Sequence, residues 1–252
     1  DQAATQPRRT MHHGHFAVDT ESILFKEYLQ NHDTALNFAV RNRELIAKRL
    51  LAQITQDDEN DPTCSCKIDI HHNFLERIQL SRLDVLHQME ADQGLFPKRI
   101  LPTASPQYQR FEEQRAWIHR KGATPTNQSP ILVIPGSRGS LSYLVEVNSE
   151  AMHGSAYSLA HGAGRQMTRA KARSMNAERY HSQQQLLQTD MGGVVICDKK
   201  DLVYEEAPNA YKSIDGVVRS LAQDVCSEIG GLVRILATLR PILTYKYKDP
   251  YK

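Results

Sequence analysis

The segment from Ser129 to Ala172 constrains this chain most, because it places two glycine-bearing turns at the ends of predicted regular elements. The apolar run Ile131-Leu132-Val133-Ile134 reads as a buried strand. It empties into Pro135-Gly136-Ser137-Arg138-Gly139-Ser140-Leu141-Ser142, a loop of small residues whose backbone can come close to a ligand. The second turn, His161-Gly162-Ala163-Gly164-Arg165, precedes good helix formers: Gln166, Met167, Arg169, Ala170, Lys171 and Ala172. A helix predicted from about Arg165 to Tyr180 would put unpaired N–H groups beside His161, an anion site with a nucleophile at its edge. In that helix Arg165, Arg169 and Arg173 recur every four residues and share one face.

Composition bounds the class. With 252 residues, 40% of them hydrophobic, the chain can bury a real core and reads as one large domain. No apolar run approaches the roughly 20 residues needed to cross a bilayer. The N-terminal residues are polar, with two arginines and a histidine cluster where a secretory leader would be apolar, so the expectation is a cytoplasmic protein with no membrane partner. A net charge of +2 does not by itself point to nucleic acid, and four scattered cysteines do not make a disulfide framework. Cys64-Ser65-Cys66 is tighter than zinc-ligand spacing, and reduced structural thiols are expected. The chain starts at Asp1, as a processed chain or a piece of a longer one would.

Residues 1–19 lack any period and read as a polar tail, His12, His13 and His15 included. A short helix with Ile23, Leu24 and Tyr28 on one side follows, then a longer one capped by Asp33 with Leu36, Val40, Ile46, Leu50 and Ile54 on its stripe; both are predicted core helices. Cys66 to Ile70 alternates as a strand running into His71-His72-Asn73. An amphipathic fragment around Leu83 to Met89 leads to a Pro/Ser/Gln-rich excursion, Phe96 to Gln109. Ala116 to His119 is a strand feeding Arg120-Lys121-Gly122. Val194 to Cys197 reads as a short buried strand, and Glu205 to Lys212 as a polar loop bearing one aromatic, Tyr211. Ser213 opens a helix with Ile214, Val217, Val218, Leu221 and Val225 inward, and Val233, Ile235, Ala237 and Leu239 alternate as a strand.

Taken together and in this order, Pro135-Gly136-Ser137, His161-Gly162-Ala163-Gly164-Arg165, Glu206-Ala207-Pro208 with Ala210-Tyr211-Lys212, and Arg240-Pro241-Ile242 resemble the RtcB family of RNA ligases. The resemblance spans roughly Asn31 to Lys246. Asn31-His32-Asp33, Asn42-Arg43 and the long spacing from Asn73 to Arg120 look closest to the release-factor-coupled subgroup. It implies an α+β fold of mixed sheets flanked by helices, with residues 20–252 forming the C-terminal portion of the catalytic domain.

The resemblance also implies a chemistry. Such enzymes join RNA ending in a 3′-phosphate or 2′,3′-cyclic phosphate to RNA beginning with a 5′-hydroxyl, using GTP and Mn²⁺, in tRNA splicing or RNA repair. His161 corresponds to the nucleophile that takes GMP and passes it to the RNA 3′-phosphate. His72 corresponds to a manganese ligand and, with Asn73, to part of the nucleotide pocket. Pro135, Gly136, Ser137, Arg138 and Ser142 fall where guanylate binds, as do Gly162, Ala163, Gly164 and Lys246. Tyr211 is placed to stack on guanine, and Arg165 and Arg169 to meet RNA phosphate. Arg138 stands where the commoner pattern has methionine. The family's remaining metal ligands have no match in this chain and are expected upstream of Asp1, in cis or on a separate N-terminal half. The alternative is a catalytically incomplete relative that binds nucleotide or RNA.

Overall fold

The computed structural model describes residues 18–56, 66–79, 115–149, 151–222 and 231–246. They fall into two compact units, Asp1–Asp69 and Ile70–Lys252. The tail histidines, Leu83 to Met89, Phe96 to Gln109 and Val225 lie outside the described residues.

The first unit is dominated by one helix, α1 (Ile23–Thr55), where two were expected. Ser22 caps it by accepting the Phe25 N–H at 3.1 Å, and the chain from Thr20 to Thr55 contains no glycine or proline to interrupt it. Asp33 is therefore not a cap; it sits mid-helix, 3.0 Å from His32. Nor is α1 a core helix: none of its residues is buried, and Ile23, Phe38 and Ile54 are 75%, 71% and 67% exposed. A stripe at helical spacing records an apolar face, not what covers it. Arg43 clamps Asp69 with two bonds, 2.6 and 3.0 Å, near the end of this unit.

The second unit is built from small sheets. Strand β1 (Asn73–Gln79) pairs antiparallel with β2 (Arg115–Lys121), Asn73 opposite Lys121. The strand expected over Cys66 to Ile70 thus begins later, and His72 precedes a strand where it was expected to follow one. The alternation at Ile68 and Ile70 is real in burial, but the backbone finds its ladder partner only from Asn73 on. Strand β3 (Ala123–Pro125) pairs with β6 (Ser158–Ala160). A three-stranded antiparallel sheet orders β4 (Ile131–Ile134), β5 (Ser142–Val147) and β8 (Val233–Leu239), and β7 (Val194–Cys197) runs parallel to β9 (Leu243–Lys246).

The helices are α2 (Arg169–Arg179), α3 (Lys200–Glu205) and α4 (Ile214–Ala222). One core gathers Leu132, Ile134, Val145, Met152, Leu159, Ala163, Ile214, Val218 and Val233; a smaller one gathers Leu186, Val203 and Ala207. Strand β7 is half-buried, not buried: Val195 points in while Val194 and Ile196 stay open, and on β8 only Val233 is enclosed. The larger core fixes both glycine turns, since Ile134 immediately precedes Pro135 while Leu159 and Ala163 bracket His161.

Candidate functional site

His72 and His161 come together although 89 positions separate them in the chain (161 less 72). Their rings stack in parallel, centroids 3.6 Å apart and planes within 2°. Gly122 is the bracket: its N–H donates to the His72 carbonyl at 2.9 Å, and its carbonyl accepts the His161 N–H at 3.1 Å. It does so with φ +70°, a left-handed backbone that suits glycine. His161 is half-buried, and burial, then the neighbouring His72 ring, push its pKa below the ordinary imidazole value. The neutral, lone-pair-bearing form therefore dominates at neutral pH.

The two glycine turns touch. A Cβ on Gly162 would lie 2.8 Å from the Pro135 carbonyl oxygen, so only glycine lets the backbones approach this closely. In the first loop the amides are held by its own serines: Gly136 N–H donates to Ser142 Oγ at 3.1 Å, Ser137 N–H to Ser140 Oγ at 2.7 Å, and Gly139 N–H to Ser137 Oγ at 3.3 Å. Ser140, absent from the expected site, is thus part of the loop's lock; the run of serines was its signal.

The expected helix start beside His161 is not formed. Gly164 takes φ +70°, Arg165 pairs as an extended bridge with Tyr211, and α2 begins only at Arg169, capped by Thr168 accepting the Lys171 N–H at 3.2 Å. The unpaired amides of that helix lie beyond Thr168, and only Arg169 and Arg173 of the arginine row are helical. Arg165 turns inward instead. Its guanidinium bonds Glu206 Oε1 (3.3 Å), Tyr211 Oη (3.2 Å) and the Glu205 carbonyl (2.6 Å), and lies 5.0 Å from the Tyr211 ring centre. Burial, then the hydrogen bond that the Tyr211 hydroxyl donates to Glu206, push the phenol's pKa up to about 12. Glu206 was read as part of a polar loop; it is the carboxylate that holds this cluster.

Arg138 also points inward, donating to the Val203 carbonyl at 2.7 Å. Arg169 is exposed, Asn73 is exposed at the start of β1, and Lys246 is exposed at the end of β9 opposite Cys197. Cys66 and Cys197 are free thiols. Among the described residues no three His, Cys, Asp or Glu side chains gather in a way that could hold a metal ion.

The sequence model of the family described as tRNA-splicing ligase RtcB matches residues 2–94 and 101–247. The chain belongs to the RtcB family. It is similar to RNA-splicing ligase RtcB2 of Escherichia coli strain ATCC 25922, 37% identical over 221 residues, covering 87% of this chain and 45% of that protein. It is also similar to tRNA-splicing ligase RtcB of Nanoarchaeum equitans, at 29% over 236 residues (88% and 42%), and to RNA-splicing ligase RtcB of Escherichia coli K12, at 28% over 249 residues (96% and 48%). The chain thus spans less than half the length of these RtcB relatives. No helix among the described residues is long and apolar enough to cross a membrane.

Proposed function

We propose that this chain carries the guanylate-accepting part of a cytoplasmic RNA ligase that joins 3′-phosphate or 2′,3′-cyclic phosphate ends to 5′-hydroxyl ends, with His161 as the nucleophile. The observation that carries the reading is the histidine pair: a half-buried imidazole kept neutral by burial, set where two glycine turns meet. In this reading a ring-nitrogen lone pair of His161 attacks the α-phosphorus of GTP; a P–N bond forms as the P–O bond to pyrophosphate breaks. The ring then sheds its extra proton. The ring takes a proton back as an RNA 3′-phosphate oxygen attacks the phosphorus, so the P–N bond breaks to neutral imidazole and GMP is transferred to the RNA. The 5′-hydroxyl of the second RNA next attacks the 3′-phosphorus, loses its proton, and GMP departs. His72 orients the His161 ring by stacking, Tyr211 and Lys246 are assigned to guanine, and exposed Arg169 to RNA phosphate. Arg165 serves by holding Tyr211 and Glu206, given where its guanidinium is engaged.

Mn²⁺ wants about six donors, mostly oxygen with some imidazole. The described residues do not compose such a set. In the ligase reading the remaining ligands come from sequence outside this chain, in cis or on a separate half. The same observation favours a second reading, a nucleotide-binding relative that no longer ligates. Ligation of a 3′-phosphate RNA to a 5′-hydroxyl RNA, assayed with the flanking RtcB portion supplied, separates them. The ligase reading expects joined product that is lost in His161→Ala. GTP binding without any joining supports the second reading.

A further inference from the structure

The C-terminal end of α3 offers three consecutive backbone carbonyls, and each receives a side chain from a different segment. Arg138 Nη2 donates to the Val203 carbonyl at 2.7 Å, Asn176 Nδ2 to that of Tyr204 at 3.0 Å, and Arg165 Nη2 to that of Glu205 at 2.6 Å. The last carbonyls of a helix lack intrahelical donors and carry partial negative charge, so cations and amides suit them. Here the donors arrive from the Pro135–Ser142 loop, from α2, and from the His161 turn. Further contacts tighten the docking of both turns. A Cβ on Gly139 would lie 2.5 Å from Pro208 Cγ, while Gln166 N–H donates to the Ala210 carbonyl and Lys212 N–H to the Gly164 carbonyl, each at 3.0 Å.

We propose that Arg138 is a positioning residue, a staple that fastens the Pro135–Ser142 loop to the same helix end to which Arg165 fastens the His161 turn, so that α3 sets the separation of the two turns. Its importance for function rests on the guanylate reading above; its geometry does not. The direction of the side chain supports this role over a phosphate clamp. Its guanidinium is largely buried, enough to lower its pKa, its Nε lies buried without a partner, and its Nη2 is committed to the Val203 carbonyl. A guanidinium that gripped a nucleotide would present its fork outward.

Arg138→Met in the full 252-residue chain keeps the stem and removes the donors. Amide hydrogen exchange is expected to rise about tenfold across Pro135–Ser142 while β4 and α2 keep their protection. GTP affinity is expected to fall about tenfold with an unchanged dependence on salt, because no charge facing the nucleotide has been removed. Gly139→Ala, whose Cβ must displace Pro208, undoes the same docking without touching a charge and is expected to give the same loop exchange, also if Arg138→Met fails to fold. Unaltered loop exchange in these variants overturns the staple. A GTP affinity that falls together with its salt dependence in Arg138→Met also overturns it, assigning Arg138 to phosphate. If the unsubstituted chain binds no GTP, the guanylate reading fails and loop exchange alone decides the staple.

Discussion

Gly122 is the residue on which the histidine pair depends, since its two backbone groups reach His72 and His161 from opposite sides. A Cβ there meets nothing within 4 Å, so the cost of Gly122→Ala comes from the φ of +70° alone. We expect a loss of about 1–2 kcal/mol in denaturant unfolding, the usual penalty for a side chain in the left-handed region, together with loss of His161 reactivity as the bracket shifts. Tyr211 gives a second prediction. Its folded-state pKa is raised from 10.0 to about 12, so the protonated phenol is the form the fold favours. Its contribution to stability is complete below pH 10 and is lost as pH rises through about 12. The absorbance titration of the native protein minus that of Tyr211→Phe should therefore show a midpoint near 12; a midpoint near 10 contradicts the burial of the phenol and its bond to Glu206 together.

At the scale of elements, Arg120 ties β2 to the segment ahead of β6. It is 2% exposed, bonds Glu76 on β1 and Ser158 Oγ at 2.9 Å, and reaches toward the carbonyls of Ala156 and Tyr157, both at positive φ. Arg120→Met is expected to destabilise by about 3 kcal/mol, the lower end for breaking a buried pair because Glu76 keeps some contact with solvent. A change under about 1 kcal/mol in chemical denaturation would place the pair among surface bridges. These elements also show what could be read ahead. The glycine turns were legible because their chemistry is local: a run of apolar residues, then proline, glycine and serine. The start of α2 was misplaced although both of its signals were present, Gly164 to end the turn and Thr168 to cap the helix. The hub at α3 was not legible at all. Its carbonyl partners lie 65, 28 and 40 residues away, and a stretch such as Glu205 to Lys212 looks like a solvated loop until Arg138, Asn176 and Arg165 arrive.

For the whole molecule, two facts belong together: the chain spans less than half the length of its RtcB relatives, and its described residues gather no metal-holding group. The geometry in hand is that of a stacked histidine pair and the glycine turns around it, and His161 is where the family resemblance and that pair meet. The most direct measurement is the position of GMP attachment. The chain, supplied with the flanking portion of the RtcB sequence, is incubated with GTP and Mn²⁺, digested at alkaline pH and mapped by tandem mass spectrometry. GMP on His161, released by mild acid as a phosphoramidate on imidazole should be, is the predicted result. GMP on a lysine or on His72, or no adduct at all under these conditions, would contradict it.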